Sequence, residues 1–218
     1  MIKTAAKFYK ELVHKFPYKP TVKQYELLDK LTTFIFNDGN NRALFLLKGF
    51  AGTGKTTIIS TVVNLLNFTD KKAVLLAPTG RAAKVISIYS KKPAVTIHKK
   101  IYFPKKQKNG SVDFVIQPNK HTNTIFFVDE ASMIPDRTNT TKLFETGSLL
   151  DDLIRYVYSG KNCKIVFIGD TAQLPPVKLH VSPALEAHTL SMEYDKDVTE
   201  LELNEVMRQH EDSGILAN

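Results

Sequence analysis

The sequence predicts an α/β domain: a mostly parallel sheet with helices on both faces and a small inserted β-hairpin. Three observations predict it. Apolar runs lack strict alternation, helix-patterned segments separate them, and polar or glycine-bearing clusters follow each run directly. A strand covered on both faces reads as a near-continuous apolar run because neither face meets water.

The elements follow in order. The opening "MIKTAAKFYKELVHKF" is amphipathic and rich in lysine, which fits a helix docked on the domain; a membrane-surface or targeting helix is the competing reading. "ALFLLKG" reads as a strand ending in glycine, and "KTTIISTVVNLLN" spreads its apolar residues at helical spacing. Strand "KAVLLAP", helix "GRAAKVISIYS", strand "NTIFFVDE", helix "KLFETGSLLDDLIRYVYS" and strand "CKIVFIGD" continue the alternation. Residues 99–121 break it. There Asn109–Gly110 sits between stretches with aromatic and β-branched residues, the signature of a hairpin. Lys99, Lys100, Lys105, Lys106, Lys108 and Lys120 surround it, as either a solvated excursion or a nucleic-acid contact.

With 218 residues and 43% hydrophobic content the chain can bury a full core, which excludes disorder. Its net charge of +8 favours a polyanionic partner, nucleic acid first. The single cysteine, Cys163, cannot form an internal disulfide and falls in an apolar strand, an inert position. No stretch approaches the ~20 apolar residues of a membrane span, and the N-terminus lacks the apolar run of a secretory signal. The expectation is a cytoplasmic monomer.

Chemistry concentrates after the strands. "GFAGTGKTT" meets G-x-x-x-x-G-K-[ST] with Gly49, Gly54, Lys55 and Thr56, and Ala51, Gly52, Thr53 and Thr57 complete the loop. Between strand and helix, such a loop adds a helix N-terminus to its own N–H groups and cradles phosphate. Lys55 can reach the β- and γ-phosphates of ATP and the Thr56 hydroxyl can ligate Mg2+. Asp129 is placed to hold the same ion and Glu130 to orient an attacking water, which favours hydrolysis; without a phosphate loop, the two would read as exposed loop acids. Gln173 in "GDTAQLPP" can sense the γ-phosphate, and Pro175 and Pro176 stiffen the chain beyond it. Asp170 stands between a role in the site and a turn cap. Arg208 in "NEVMRQ" reads as a charge for the phosphoryl group or as a surface arginine.

Taken together, "GFAGTGKTT", "LLAPTGRAAK", "TIHK", "FFVDEASMI", "FIGDTAQLPPV" and "LNEVMRQ" resemble, in that order, the motifs of superfamily 1 DNA helicases of the RecD/Dda type. Exodeoxyribonuclease V alpha subunits are among these. The resemblance runs from about Thr21 to the end, and "GDTAQLPPV" followed by "EVMRQ" is its specific part. It implies a RecA-like P-loop NTPase fold, with Gln24 contacting adenine and Arg208 contacting the γ-phosphate. It also implies single-stranded-DNA contacts at Pro78, Thr79, Gly80 and Arg81 and at Thr96 and His98. The hairpin corresponds to a strand-separating pin, with Phe103 and Phe114 as its apolar support.

Such helicases have two motor domains, and residues 1–218 supply the first; the second is absent from this chain, and "EDSGILAN" reads as a helix cut short. The leading expectation is therefore the ATP-hydrolysing first motor domain of a 5′-to-3′ single-stranded-DNA translocase and helicase for repair, recombination or replication, weakly active as a fragment. Partners of the nuclease or recombination-complex kind are implied for RecD-like subunits. A P-loop nucleotide switch acting on a protein partner is the rival class, and an RNA helicase a narrower one.

Overall fold

The computed structural model describes residues 1–106, 112–134, 148–170 and 182–205. Eight strands occur among them: β1 (Ala43–Gly49), β2 (Lys72–Ala77), β3 (Ala94–Thr96), β4 (Tyr102–Lys106), β5 (Val112–Ile116), β6 (Thr122–Val128), β7 (Lys161–Gly169) and β8 (Asp197–Leu203). Six of them form one sheet in the order β3-β2-β6-β7-β1-β8, and every pairing in it is parallel. This is a RecA-like P-loop fold. All six carboxyl ends therefore lie along one sheet edge.

Side chains alternate across a strand, and here both sets are apolar. Phe45, Leu47, Phe127, Val166 and Ile168 face α1 (Ala5–Lys15), α2 (Val22–Phe36), α3 (Lys55–Leu66) and α4 (Gly80–Ser90). Leu44, Leu46, Phe126, Val128, Ile165 and Phe167 face α5 (Ile97–Ile101), α6 (Leu149–Tyr158) and α7 (Ala187–Met192). The sheet thus separates two cores. In α1, Phe8 and Leu12 are fully buried in the first of these, so its apolar stripe is already covered by the domain. Among the described residues no helix is long and apolar enough to cross a membrane. Cys163 is buried and free, and burial pushes its thiol pKa up.

Three differences from the sequence reading have physical causes. The helix expected over 142–159 begins at Leu149, because Ser148 caps it by accepting from the Asp151 N–H at 3.2 Å. Residues 99–101, expected in the hairpin, complete α5, whose cap is Thr96. Strand β8 was not foreseen: "DVTELEL" carries glutamates because it is an edge strand, where Lys48 pairs with Glu200 at 2.8 Å.

The hairpin strands pair antiparallel, Tyr102 opposite Ile116 through Lys106 opposite Val112, and the Asn109–Gly110 turn lies outside the described residues. Its root is fastened twice. The Tyr102 hydroxyl donates to the Asp152 carboxylate of α6 at 2.6 Å, with both residues buried, and the Gln117 N–H donates to the Ile101 carbonyl at 2.8 Å. Phe103 and Phe114 are each more than a third exposed.

Candidate nucleotide and nucleic-acid site

Register across the parallel sheet decides which loops become neighbours. Lys48 lies opposite Gly169, Val128 opposite Phe167, Leu76 opposite Val128, and Ala77 opposite Thr96. The residues just beyond these ends therefore stand in a row: the phosphate-loop residues, Asp170, Asp129–Glu130, Pro78–Arg81 and Thr96–His98. Ligands of open parallel sheets bind at this edge.

The loop from β1 to α3 depends on its glycines. Gly52 and Gly54 have φ of 78° and 89°, in the left-handed region where a Cβ is strained. A Cβ at Gly49 would sit 2.6 Å from the Leu203 carbonyl oxygen of β8. Gly54 occupies the cap position of α3 and no side chain caps that helix, so its first-turn N–H groups are left for an anion. Thr53 is buried, its hydroxyl donating to the Phe50 carbonyl at 2.9 Å. Thr56 and Thr57 lie half-buried in the first turn of α3, and Ala51 is exposed.

Lys55 Nζ donates to the carbonyls of Gly49 at 2.6 Å and Phe50 at 2.8 Å. Burial lowers its pKa, while the charges of Asp170, Asp129 and Glu130 act in the opposite direction. One ammonium thus lies within the field of three carboxyl groups. Asp129 is pushed up to about 6 by burial and by Glu130, against the Glu130 N–H and the Lys55 charge. A half-buried acid crowded by a second acid is a donor set that a divalent cation would relieve. Glu130 itself is held at φ 54°, ψ 39°, a conformation that L-residues avoid outside over-determined sites.

Gln24 is buried beneath the loop. Its Nε2 donates to the Thr53 carbonyl at 3.1 Å, and its Oε1 accepts from the Thr21 N–H at 3.1 Å, closing a capping box at the start of α2. The spacing Thr21-x-x-Gln24 is the sequence signal of this box.

Pro78, Thr79, Gly80 and Arg81 form the turn from β2 into α4, where Thr79 accepts from the Ala82 N–H at 3.2 Å and Arg81 is exposed. Thr96 does the same for α5 from the Lys99 N–H at 3.2 Å. His98 is half-buried, its pKa lowered by burial, with its ring centroid 6.0 Å from that of Tyr102. No cluster of metal-ligating side chains occurs among the described residues. Gln173, Pro175, Pro176 and Arg208 lie outside the described residues. Asp170, left undecided by the sequence, is buried and acts on Lys55.

Residues 22–217 match the family model described as AAA domain. The ATP-dependent DNA helicase dda of Enterobacteria phage T4 is 33% identical over 167 residues, covering 75% of this chain and 34% of that protein. The ATP-dependent RecD2 DNA helicase of Deinococcus radiodurans is 30% identical over 135 residues, covering 62% of this chain and 16% of that protein. Among solved structures, the Pif1 helicase from Candida albicans aligns with a TM-score of 0.52 at 21% identity, over 87% of this chain and 41% of that one, a likeness of fold. The chain spans about a third or less of the length of the curated relatives it matches. With nearly its whole length matched, the chain belongs to this AAA-domain family, as a superfamily 1 helicase motor domain of the RecD/Dda type.

Proposed function

We propose that this chain binds and hydrolyses ATP as the first motor domain of an ATP-dependent single-stranded-DNA translocase and helicase. One observation carries the reading: the phosphate loop and its three carboxyl groups share a sheet edge with Pro78–Arg81 and Thr96–His98, which stand at the ends of the next two strands beyond β6. A change at one group is then felt at the other through the paired ends of β6, β2 and β3.

Lys55 and the uncapped first turn of α3 hold the β- and γ-phosphates. Thr56 and Asp129 would hold Mg2+, which supplies charge neutralisation at those phosphates. Glu130 orients the attacking water and takes its proton. Gln24 braces the loop through Thr53 and meets the adenine. Gln173 and Arg208 address the γ-phosphate, as the family motifs imply. Pro78, Thr79, Gly80, Arg81, Thr96 and His98 grip single-stranded DNA. The hairpin stands beside that grip as a strand-separating pin. A second motor domain completes the intact protein, and nuclease or recombination subunits of the RecD kind are its partner class.

The test is steady-state ATP hydrolysis by the intact gene product with and without an oligothymidylate, with Glu130→Gln alongside. Strong stimulation by the oligonucleotide, lost in the variant, is the expected result. Slow turnover that DNA leaves unchanged overturns the motor reading and turns attention to a nucleotide switch.

A further inference from the structure

Charge is distributed unevenly along this chain. Residues 71–106 hold ten of its thirty lysines and arginines and none of its twenty-two aspartates and glutamates. The stretch folds into one flank, because it comprises β2, α4, β3, α5 and β4, and β3 is an outermost strand of the sheet. Only Leu75–Ala77 of β2 pair with β3, so the first half of β2 also faces that side, with Lys72 exposed. Arg81, Lys84, Lys91 and Lys99 are exposed on the helices and loop around it.

Within the stretch Lys71 pairs with Asp38 at 2.5 Å, and outside it four cations sit on carboxylates. Lys23 and Lys30 pair with Glu26 at 2.9 Å each, Arg42 with Asp195 at 2.5 Å and Lys48 with Glu200 at 2.8 Å. Among the described residues, no carboxylate lies within ion-pair distance of Lys72, Lys84, Lys91 or Lys92. Like charges left side by side repel, and a polyanion laid along them removes the repulsion. Lys91 and Lys92 join the end of α4 to the start of β3, at the sheet edge opposite Thr79 and Thr96. The eleven residues of α4 separate the two edges by about 16 Å. The positive band therefore extends well beyond the proposed single-strand grip.

We propose that this flank, centred on Lys84, Lys91 and Lys92, is a track for duplex DNA beside the hairpin. Single strands are held by a charged groove combined with base stacking, whereas duplexes offer a phosphate charge every ~1.7 Å to lysines that read no sequence. The band is made of lysines. Tyr89, the exposed aromatic ring of α4, lines the groove shared with Lys15 and Phe68. The choice of duplex DNA rests on the motor reading above; the uncompensated charge does not.

A blunt, fluorescein-labelled duplex of about 20 base pairs, titrated by anisotropy without nucleotide across a salt series, tests the track in the intact gene product and in K84A/K91A/K92A. Duplex affinity falls about tenfold or more at low salt and the log–log salt slope drops by two to three, roughly one per lost phosphate contact. Oligothymidylate binding stays within about twofold, and circular dichroism melts confirm the fold. Unchanged duplex affinity and slope overturn the proposal: the lysines then guard an open sheet edge, and the exposed Val85 and Ile88 between them mark a protein-docking face. Equal loss of duplex and oligothymidylate binding overturns it too, since one surface then serves both. A wild-type protein that binds duplex yet shows no DNA-stimulated hydrolysis fails the motor reading and keeps the flank.

Discussion

The backbone N–H of Glu130 donates to the carboxylate of Asp129, its own neighbour, at 3.0 Å. That contact accompanies a left-handed residue, Glu130, two positions beyond the last residue of the buried strand β6. Of the two acids, Asp129 accepts that backbone bond and is the one whose pKa burial raises, so two carboxylates adjacent in sequence can take different tasks.

Glycine at position 130 separates strain from chemistry. Glu130→Gly removes the left-handed penalty and raises stability by about 1 kcal/mol, while Glu130→Gln leaves stability nearly unchanged. Both abolish ATP turnover. Urea denaturation beside a phosphate-release assay checks this, and a Gly variant less stable than wild type contradicts it.

Gly49→Ala places a Cβ against the Leu203 carbonyl oxygen, backbone that cannot swing aside. The β1–β8 pairing has to open, at a cost of about 2 kcal/mol or more, read as a lower denaturation midpoint. Gly39→Ala meets nothing within 4 Å and serves as the control.

Removing the Tyr102 hydroxyl leaves the fully buried Asp152 carboxylate without its phenol donor, and its Oδ1 has no hydrogen-bond partner among the described residues. Tyr102→Phe therefore destabilises by about 1–3 kcal/mol. The double variant Tyr102→Phe with Asp152→Leu recovers part of that loss, which a double-mutant cycle reads directly.

Lys164 is buried in β7, where its ammonium donates to the carbonyls of Phe34 at 2.9 Å and of Asn37, caps for the carboxyl end of α2. Burial first, then the neighbouring Lys71, lowers its pKa to about 8, against the attraction of Asp38. Between that value and the ordinary lysine value near 10.5, the unfolded chain binds the proton that the folded chain has released. Stability therefore rises with pH across this window, by about 2 kcal/mol at pH 10, and Lys164→Met loses that rise. Denaturation of both proteins from pH 7 to 10 measures the difference.

The parts of the fold that sequence displays best are those where burial alone sets the residue type. The strand Ala43–Gly49 and the helix Gly80–Ser90 coincide with their readings, because apolar runs and helical spacing respond directly to two covered faces. β8 was missed since an edge strand needs only half its residues apolar, and β3 since three residues give no period. Lys164 was invisible as a structural cation. A lysine inside an apolar strand shows its purpose only when the helix end above it is known. At the candidate site the motifs named the loops, but their order along the sheet edge came from strand register, which links residues far apart in sequence.

No connecting residue separates α5 from β4: Ile101 ends the helix and Tyr102 begins the strand. A joint of that kind has no hinge. The bearing of the hairpin is therefore inherited from the short helix that starts at Thr96, and Tyr102 locks it to α6 within the second core. Whatever rotates the Thr96–His98 turn must also swing the paired strands β4 and β5, as a rudder follows its tiller.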